Sequence, residues 1–185
     1  MSVKAPESCN YGWIAKKFNL ISINNITYSL NQLVGEKGTV IVFICNHCPY
    51  VISIAKRLSY ESDELKKIKV NTIAIMSNDV NQYPEDSFEN MKKFSQKYNF
   101  NFPYLYDSTQ DIAKKYNAVC TPDFFGFNKN LELQYRGRID SKVMNNKDKQ
   151  INRELFDAMK KISIDGIGPR KQYNSFGCSI KWKHN

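Results

Sequence analysis

The sequence has no long apolar run, and it is poor in arginine. No stretch approaches the length of apolar chain that crosses a membrane, and residues 1–20 lack the apolar segment of a secretory signal peptide. These absences predict a cytoplasmic protein without a membrane partner. Only five of the 27 basic residues are arginines, although the formal charge is +9. Because nucleic-acid sites depend on the two-point contacts of arginine, and the lysines are spread along the chain, we expect no nucleic-acid partner either.

Cysteines are also few, and their spacing is uneven. The five are Cys9, Cys45, Cys48, Cys120 and Cys178. An odd, uneven set is not typical of a structural disulfide framework, and in a reducing compartment Cys-x-x-Cys indicates redox or metal chemistry. A structural zinc site needs four ligands, but the chain has only two histidines and no second Cys-x-x-Cys. We therefore predict neither a resident metal nor a cofactor.

Apolar runs and helical periods alternate along the chain, which predicts an α/β fold. Residues 39–44 and 70–76 are apolar and β-branched, as strands buried on both faces of a sheet are. Helical periods follow them over 49–68 and 85–98. We expect one domain with its core at about 17–162. The other predicted elements are a hairpin at 18–28 that turns at Asn24 and Asn25, a strand at 104–107, a helix opened by Ser108 and Asp111, a hairpin of 124–127 and 131–139, a helix at about 152–162, and an irregular tail at 163–185 that packs on the core.

The motif Cys45-Asn46-His47-Cys48-Pro49 lies between a predicted buried strand and a predicted helix. Here Cys45 sits at the helix N-terminus, where free N–H groups and the helix dipole favour an anion such as a thiolate. We therefore predict a lowered pKa for Cys45, which a protonated His47 would lower further. Cys48 follows one turn later. Cys45, at the exposed end, can attack a disulfide, and Cys48 can resolve the mixed disulfide.

A second motif, Cys120-Thr121-Pro122, precedes a predicted strand. An X-Pro bond at this place can simply mark the start of the strand, or it can be a cis bond. The order of buried strand, Cys-x-x-Cys on a helix and Thr-Pro before a hairpin resembles the thioredoxin fold. That resemblance implies a central mixed β-sheet flanked by helices, with an N-terminal β-hairpin and an inserted βα segment. It also implies that Pro122 is cis and faces the dithiol, and that the backbone of Thr121 pairs with an extended substrate.

Six blocks of sequence are similar to one branch of that superfamily, the peroxiredoxin-like redoxins of the AhpC/TSA type. The resemblance covers about residues 17–183. It implies a thiol–disulfide oxidoreductase that acts on protein or small-molecule thiols and is recycled by a thiol reductant of the thioredoxin or glutathione type. The blocks are FICNHCPYV (43–51), SNDVNQYPEDSFENMKKF (77–94), FPYLYDSTQDIAKKY (102–116), VCTPDFF (119–125), YRGRID (135–140) and GCSIKW (177–182).

The sequence departs from related patterns at positions that bear on mechanism. Peroxiredoxins cradle peroxide with Pro-x-x-x-Thr-x-x-Cys, but Gly38 and Val42 stand at the proline and threonine positions. Because valine cannot donate a hydrogen bond, a standard peroxidatic site is not expected. Thioredoxins also carry a buried acid six residues before the first cysteine, where this chain has Thr39. Asp123 and Asp79 are therefore candidate acceptors for the proton of the resolving thiol.

Three functions stay open at this point. The first is disulfide exchange, with a potential less negative than that of a thioredoxin because His47 stabilises the reduced form. The second is a thiol peroxidase or antioxidant, and the third is a Cu(I) chaperone that binds through Cys45, Cys48 and His47. Cys120 fits a buried hydrophobe, and Cys178 could be a third exchanging thiol. The residues expected to act in disulfide exchange are Cys45, Cys48, His47, Thr121, Pro122 and Asp123.

Overall fold

The computed structural model describes residues 2–6, 9–142 and 151–183. Within these ranges the chain forms strands, helices and one 3₁₀ turn at Pro84–Asp86. The strands are β1 (Ser2–Lys4), β2 (Asn19–Ser22), β3 (Thr27–Ser29), β4 (Gly38–Phe43), β5 (Val70–Met76), β6 (Tyr104–Tyr106), β7 (Cys120–Thr121), β8 (Asp123–Asn128), β9 (Leu133–Gly137) and β10 (Phe176–Ser179). The helices are α1 (Leu30–Leu33), α2 (Pro49–Lys67), α3 (Phe88–Lys97), α4 (Asp111–Lys115) and α5 (Glu154–Asp165).

A seven-stranded mixed sheet forms the centre, in the order β3-β2-β6-β5-β4-β8-β9. Strands β4, β5 and β6 are parallel, and the outer strands pair antiparallel to their neighbours. Every residue of β4 and β8 is buried, as expected of central strands covered on both faces. The predicted α/β class and central mixed sheet are therefore confirmed. Among the described residues, no helix is both long and apolar enough to cross a membrane.

Two apolar clusters cover the two faces of the sheet. One contains the buried sides of α2, α3 and α5 against residues such as Val42 and Phe124, and it includes both Cys45 and Cys48. The other contains the buried residues of α1 and α4 against Phe43 and the neighbouring strands. Successive strand residues point to opposite faces, so one strand supplies both clusters. The dithiol thus belongs to the face that α2 covers.

The local predictions hold where one segment determines its own shape. The N-terminal hairpin joins β2 and β3, and Asn25 adopts a φ of 63° in its turn.

The helix expected to open at Ser108 begins instead at Asp111, after Gln110 in a left-handed conformation. Its first amides donate to the carboxylate of Asp107, at the end of the preceding strand. The cap therefore comes from Asp107, and the prediction for Ser108 was wrong.

The C-terminal tail was predicted to be irregular, but it contains a strand, β10. Its strand β10 pairs antiparallel with β7 on one side and with β1 on the other, which makes a small three-stranded sheet. Ile180, next along the chain, is buried in the second apolar cluster. The tail segment is short and lacks strict alternation, so its strand depends on partners more than 50 residues away. This small sheet lies directly against the Thr121–Pro122 bond.

Candidate active site

The Cys-x-x-Cys motif joins the end of β4 to the start of α2. Cys48 occupies the N-cap position and Pro49 the first helical position, where a missing N–H costs nothing. Cys45 is 1% exposed and Cys48 is 0% exposed. The prediction that Cys45 lies at an exposed end is therefore wrong. It is buried because the tail strand covers the neighbouring Thr121, and Cys178 packs against the same apolar cluster.

Thr121 connects the two sulfurs. The bond from Thr121 to Pro122 is cis, as the resemblance implied. The Thr121 hydroxyl lies 3.3 Å from Cys45 Sγ, and Cys48 Sγ lies 3.1 Å from the Thr121 carbonyl oxygen, to which its thiol can donate. The structure thus brings together Cys45, Cys48, Thr121 and Pro122 from two segments more than 70 residues apart in sequence.

A buried carboxylate, Asp86, holds the loop between the two cysteines. It is 0% exposed and lies in the 3₁₀ turn before α3. Its Oδ1 accepts from the backbone N–H of Asn46 at 2.7 Å and of His47 at 3.4 Å. Its Oδ2 accepts from the Asn78 amide at 2.7 Å and pairs with His47 Nδ1 at 2.8 Å. Sequence reasoning missed Asp86, because an acid in the first turn of a predicted helix is ordinarily interpreted as a partner for the helix dipole.

His47 is fixed by Asp86 and by an aromatic ring. Its imidazole stacks on Tyr83 with ring centroids 5.5 Å apart and an interplanar angle of 8°. The hydrogen bond to Asp86 raises the pKa of His47 above its ordinary value, and the negative charges of Asp86 and Cys48 act in the same direction. Asp86 therefore favours the protonated form of His47 beside the dithiol, and it does so through a carboxylate that the motif itself does not contain.

Each of the two sulfurs affects the pKa of the other. The interaction with Cys45 lowers the pKa of Cys48 to about 5, and the interaction with Cys48 raises that of Cys45 well above a free thiol. Burial and the charge of Asp86 raise the pKa of Cys45 further, whereas the backbone N–H of Val51 lowers that of Cys48. The predicted lowering of the Cys45 pKa is therefore wrong. The carboxylate lies near Cys45, and the free amides of α2 lie near Cys48.

Thr121 also serves the arrangement in which the proton lies on Cys48. The Cys48 thiol then donates to the Thr121 carbonyl, and the Thr121 hydroxyl, which lowers the pKa of Cys45, donates to the Cys45 thiolate. The two contacts of Thr121 therefore fit a protonated Cys48 beside a Cys45 thiolate. Transfer between the sulfurs converts one arrangement into the other.

Asp123 lies apart from this group. Its partner in β4 is Phe43, which packs in the apolar cluster on the sheet face opposite the dithiol. Its carboxylate is paired with Arg136 Nη2 at 3.1 Å, and both side chains are buried. Burial raises the pKa of Asp123, while Arg136 opposes that rise. The other candidate, Asp79, accepts the backbone N–H of Asn81 and caps a turn. The proton-acceptor role of Asp123 stays a prediction, tested below.

A metal ion has one possible set of ligands in the described part of the chain. A ring nitrogen of His47, the sulfur of Cys45 and a carboxylate oxygen of Asp86 lie within 4.8 Å of one another. This set differs from the predicted copper set, because an oxygen of Asp86 takes the place of the Cys48 sulfur. Cu(I) prefers soft thiolate ligands, and Asp86 already accepts four hydrogen bonds. The geometry therefore favours redox chemistry of the sulfurs over metal binding.

Comparisons with known proteins identify the family of the chain. The model of the AhpC/TSA family matches residues 12–136. An uncharacterized conserved protein from Geobacillus kaustophilus is 39% identical, with a TM-score of 0.93 over 100% of this chain and 98% of that chain. A hypothetical protein from Sinorhizobium meliloti is 29% identical, with a TM-score of 0.89 over 98% of each chain. No curated protein matches the chain.

A more distant structure identifies the fold. The thioredoxin domain of a thiol-disulfide oxidoreductase from Bacteroides vulgatus is 14% identical, with a TM-score of 0.65 over 84% of this chain and 99% of that chain. At this identity the similarity concerns the fold alone. The predicted thioredoxin-like fold is thereby confirmed.

Proposed function

The chain belongs to the AhpC/TSA family of thioredoxin-like redoxins, and on that premise we propose that it is a thiol–disulfide oxidoreductase that works through Cys45 and Cys48. One observation carries the proposal: the two sulfurs lie at the start of α2 and Thr121 contacts both, with its hydroxyl 3.3 Å from Cys45 Sγ and its carbonyl oxygen 3.1 Å from Cys48 Sγ. A structural pair of cysteines would need neither the buried acid nor the paired histidine beside it.

The reaction begins with a proton transfer inside the pair. The Cys48 thiolate takes the proton of Cys45, and the Thr121 hydroxyl stabilises the Cys45 thiolate that results. This thiolate attacks one sulfur of a substrate disulfide and releases the other as a thiol. The proton on Cys48 passes to the leaving sulfur, which departs as a thiol, and Cys48 is again a thiolate.

Cys48 completes the exchange. Its thiolate attacks the sulfur of Cys45 in the mixed disulfide, which frees the substrate thiol and leaves the Cys45–Cys48 disulfide. A thiol reductant of the thioredoxin or glutathione type then returns the pair to the dithiol. The first turn of α2 favours negative charge on Cys48 during this attack. We assign the cytoplasm as the compartment, where such reductants are found.

His47 and Asp86 act as positioning residues in this scheme. Asp86 accepts both backbone N–H groups between the cysteines, and this keeps the two sulfurs at one distance. Protonated His47 offsets the charge of Asp86 and favours a thiolate close by.

A peroxidase is less well supported. Val42, at the position of the peroxiredoxin threonine, is buried in the apolar cluster that contains the dithiol and offers no hydroxyl to a peroxide. The cradle in front of Cys45 is therefore apolar on the strand side. The geometry favours disulfides over peroxide as the substrate.

Turnover of a disulfide substrate tests the proposal. We expect catalysed reduction of insulin or of an aromatic disulfide such as DTNB, driven by a small thiol. Cys45→Ser and Cys48→Ser should each abolish it, and Cys9→Ser should not. Cys48→Ser should in addition retain the substrate as a mixed disulfide on the protein. Wild-type turnover in both active-site variants would overturn the proposal, and peroxide-dependent thiol oxidation alone would favour the peroxidase.

A further inference from the structure

The tail strand β10 occupies the free edge of β7. Cys178 lies opposite Thr121 in the antiparallel pairing, and Ser179 lies opposite Cys120. The approach is close at Gly177, where an added Cβ would lie 2.0 Å from the Thr121 carbonyl oxygen. An unpaired edge offers its backbone groups to any extended chain. In this protein the tail itself fills that edge beside the dithiol.

The register of this pairing places a third sulfur at the site. Cys48 Sγ lies 3.1 Å from the Thr121 carbonyl oxygen, and Cys178 is the residue directly across from Thr121. Cys178 also packs against the apolar cluster that contains Cys45 and Cys48. Burial and the neighbouring Cys48 raise the pKa of the Cys178 thiol to about 11. Cys178 thus joins Cys45 and Cys48 around Thr121.

The three sulfurs differ in their access to solvent. Cys45 and Cys48 are 1% and 0% exposed, whereas Cys178 is partly exposed. A thiol that approaches the closed protein therefore meets Cys178 first. Cys120, the neighbour of Thr121 in sequence, does not share this position, because it is fully buried and its thiol donates to the Pro122 carbonyl oxygen at 3.5 Å.

We propose that Cys178 is a third redox residue, which carries the disulfide from the buried Cys45–Cys48 pair to the protein surface. The inference rests on the proposed function, since the buried pair must first be oxidised. The Cys178 thiolate attacks Cys48 Sγ, the Cys45–Cys48 bond breaks, and the Cys48–Cys178 bond forms. Cys45 leaves as a thiolate and takes up the proton that Cys178 released, so the protein is neither oxidised nor reduced in this step.

An external thiol then reduces the surface disulfide. Its thiolate attacks the partly exposed Cys178 sulfur, which yields a mixed disulfide and frees Cys48 as a thiol. A second molecule of the thiol displaces the first as a symmetric disulfide and restores Cys178. The reductant is thereby oxidised by two electrons, and the dithiol is reduced by two. Through this exchange an external thiol reduces the buried disulfide without entering the core.

A disulfide map of the Cys45→Ser variant tests the new bond. Oxidation with diamide, acid quenching, alkylation and tryptic digestion should join the peptide of residues 38–56 to that of residues 172–181. With Cys45 removed, the link can come only from Cys48 and Cys178. The double variant Cys45→Ser, Cys178→Ser is the control and should give no link. If Cys48 and Cys178 are recovered as free thiols from the oxidised single variant, the proposal is overturned.

Reduction kinetics test the route. Oxidised Cys178→Ser should be reduced by glutathione about tenfold more slowly than wild type, because the attacking thiol has lost its accessible sulfur. Cys9→Ser removes another partly exposed cysteine and should leave the rate unchanged. If Cys178→Ser forms the Cys45–Cys48 disulfide and is reduced at the wild-type rate, the relay is overturned, but the proposed function stands. If the wild-type protein forms no Cys45–Cys48 disulfide, the proposed function itself has failed.

Discussion

Replacing Asp86 with asparagine should change both the stability and the electrostatics of the site. The substitution keeps the shape of the side chain but leaves one oxygen where there were two. If that oxygen keeps the backbone N–H of Asn46, the new NH₂ group faces the amide of Asn78 and the ring of His47. Asn78 cannot turn its amide over, because its Oδ1 already accepts the backbone N–H of Lys181.

The cost follows from these contacts. A lost charge-assisted hydrogen bond costs about 1.5–3 kcal/mol, and a buried donor without a partner costs about 1–3 kcal/mol. We therefore expect Asp86→Asn to lower the free energy of unfolding by about 3 kcal/mol. For a chain of this size that corresponds to a fall in Tm of roughly 6–12 °C. Urea and thermal unfolding measure both quantities. Asp165→Asn is the control and should have little effect, because Asp165 is an exposed partner of Lys161.

The effect should also depend on pH. The pKa of His47 is raised in the folded protein, so the stability that His47 contributes is fully present below its unfolded pKa of 6.5. That stability is lost as the pH rises through the folded pKa. The difference between wild type and Asp86→Asn should thus be larger at about pH 6 than at about pH 9.

A proton NMR titration follows His47 directly, because the chain has only two histidines. The pKa of His47 should fall in Asp86→Asn, and a His184→Gln variant assigns the resonances. An unchanged His47 titration, or equal destabilisation at the two pH values, would show that Asp86 does not hold the charge as described.

Three further substitutions test the rest of the site. His47→Gln should raise the pKa at which the dithiol first ionises, measured by thiolate absorbance, because a nearby positive charge is lost; an unchanged titration contradicts this. Thr121→Val should slow disulfide exchange by about tenfold, because it removes the hydroxyl 3.3 Å from Cys45 Sγ. Thr121→Ser keeps a hydroxyl and should retain the rate. Equal rates for the two variants would show that the hydroxyl has no part in the exchange. Asp123→Asn should lower the free energy of unfolding, measured in urea, by about 3 kcal/mol, because Arg136 loses its carboxylate partner. The dithiol titration should stay unaltered, and a shifted titration would support Asp123 as the proton acceptor.

Local patterns predicted the elements that determine their own shape. The strand predicted at 70–76 is observed as Val70–Met76, and the helix predicted at 49–68 as Pro49–Lys67, because apolar periodicity and helix ends are encoded within the segment itself. The segment predicted as one helix at 85–98 is divided at Ser87, whose side chain caps α3. A serine within a helical period does not by itself predict such a break. Because the helix begins only after Ser87, Asp86 lies in the preceding turn and faces the dithiol loop.

Contacts between distant segments could not be predicted in this way. Asp86 reaches the backbone of Asn46 across 40 residues, and Cys178 lies opposite Thr121 across more than 50. Neither partner belongs to a spacing pattern, since each depends on how a loop or tail folds back on the finished sheet. A motif therefore identifies where the chemistry lies more readily than it identifies what surrounds it.

The ionisation of the dithiol illustrates the consequence. The helix N-terminus favours a thiolate at the motif, and that part of the argument depends only on local structure. Which sulfur carries the charge depends in addition on the carboxylate of Asp86, which raises the pKa of Cys45. Asp86 lies outside the motif. A chain with the same Cys-x-x-Cys but without an acid at position 86 should therefore have a lower pKa at its first cysteine, closer to what helix position alone would give.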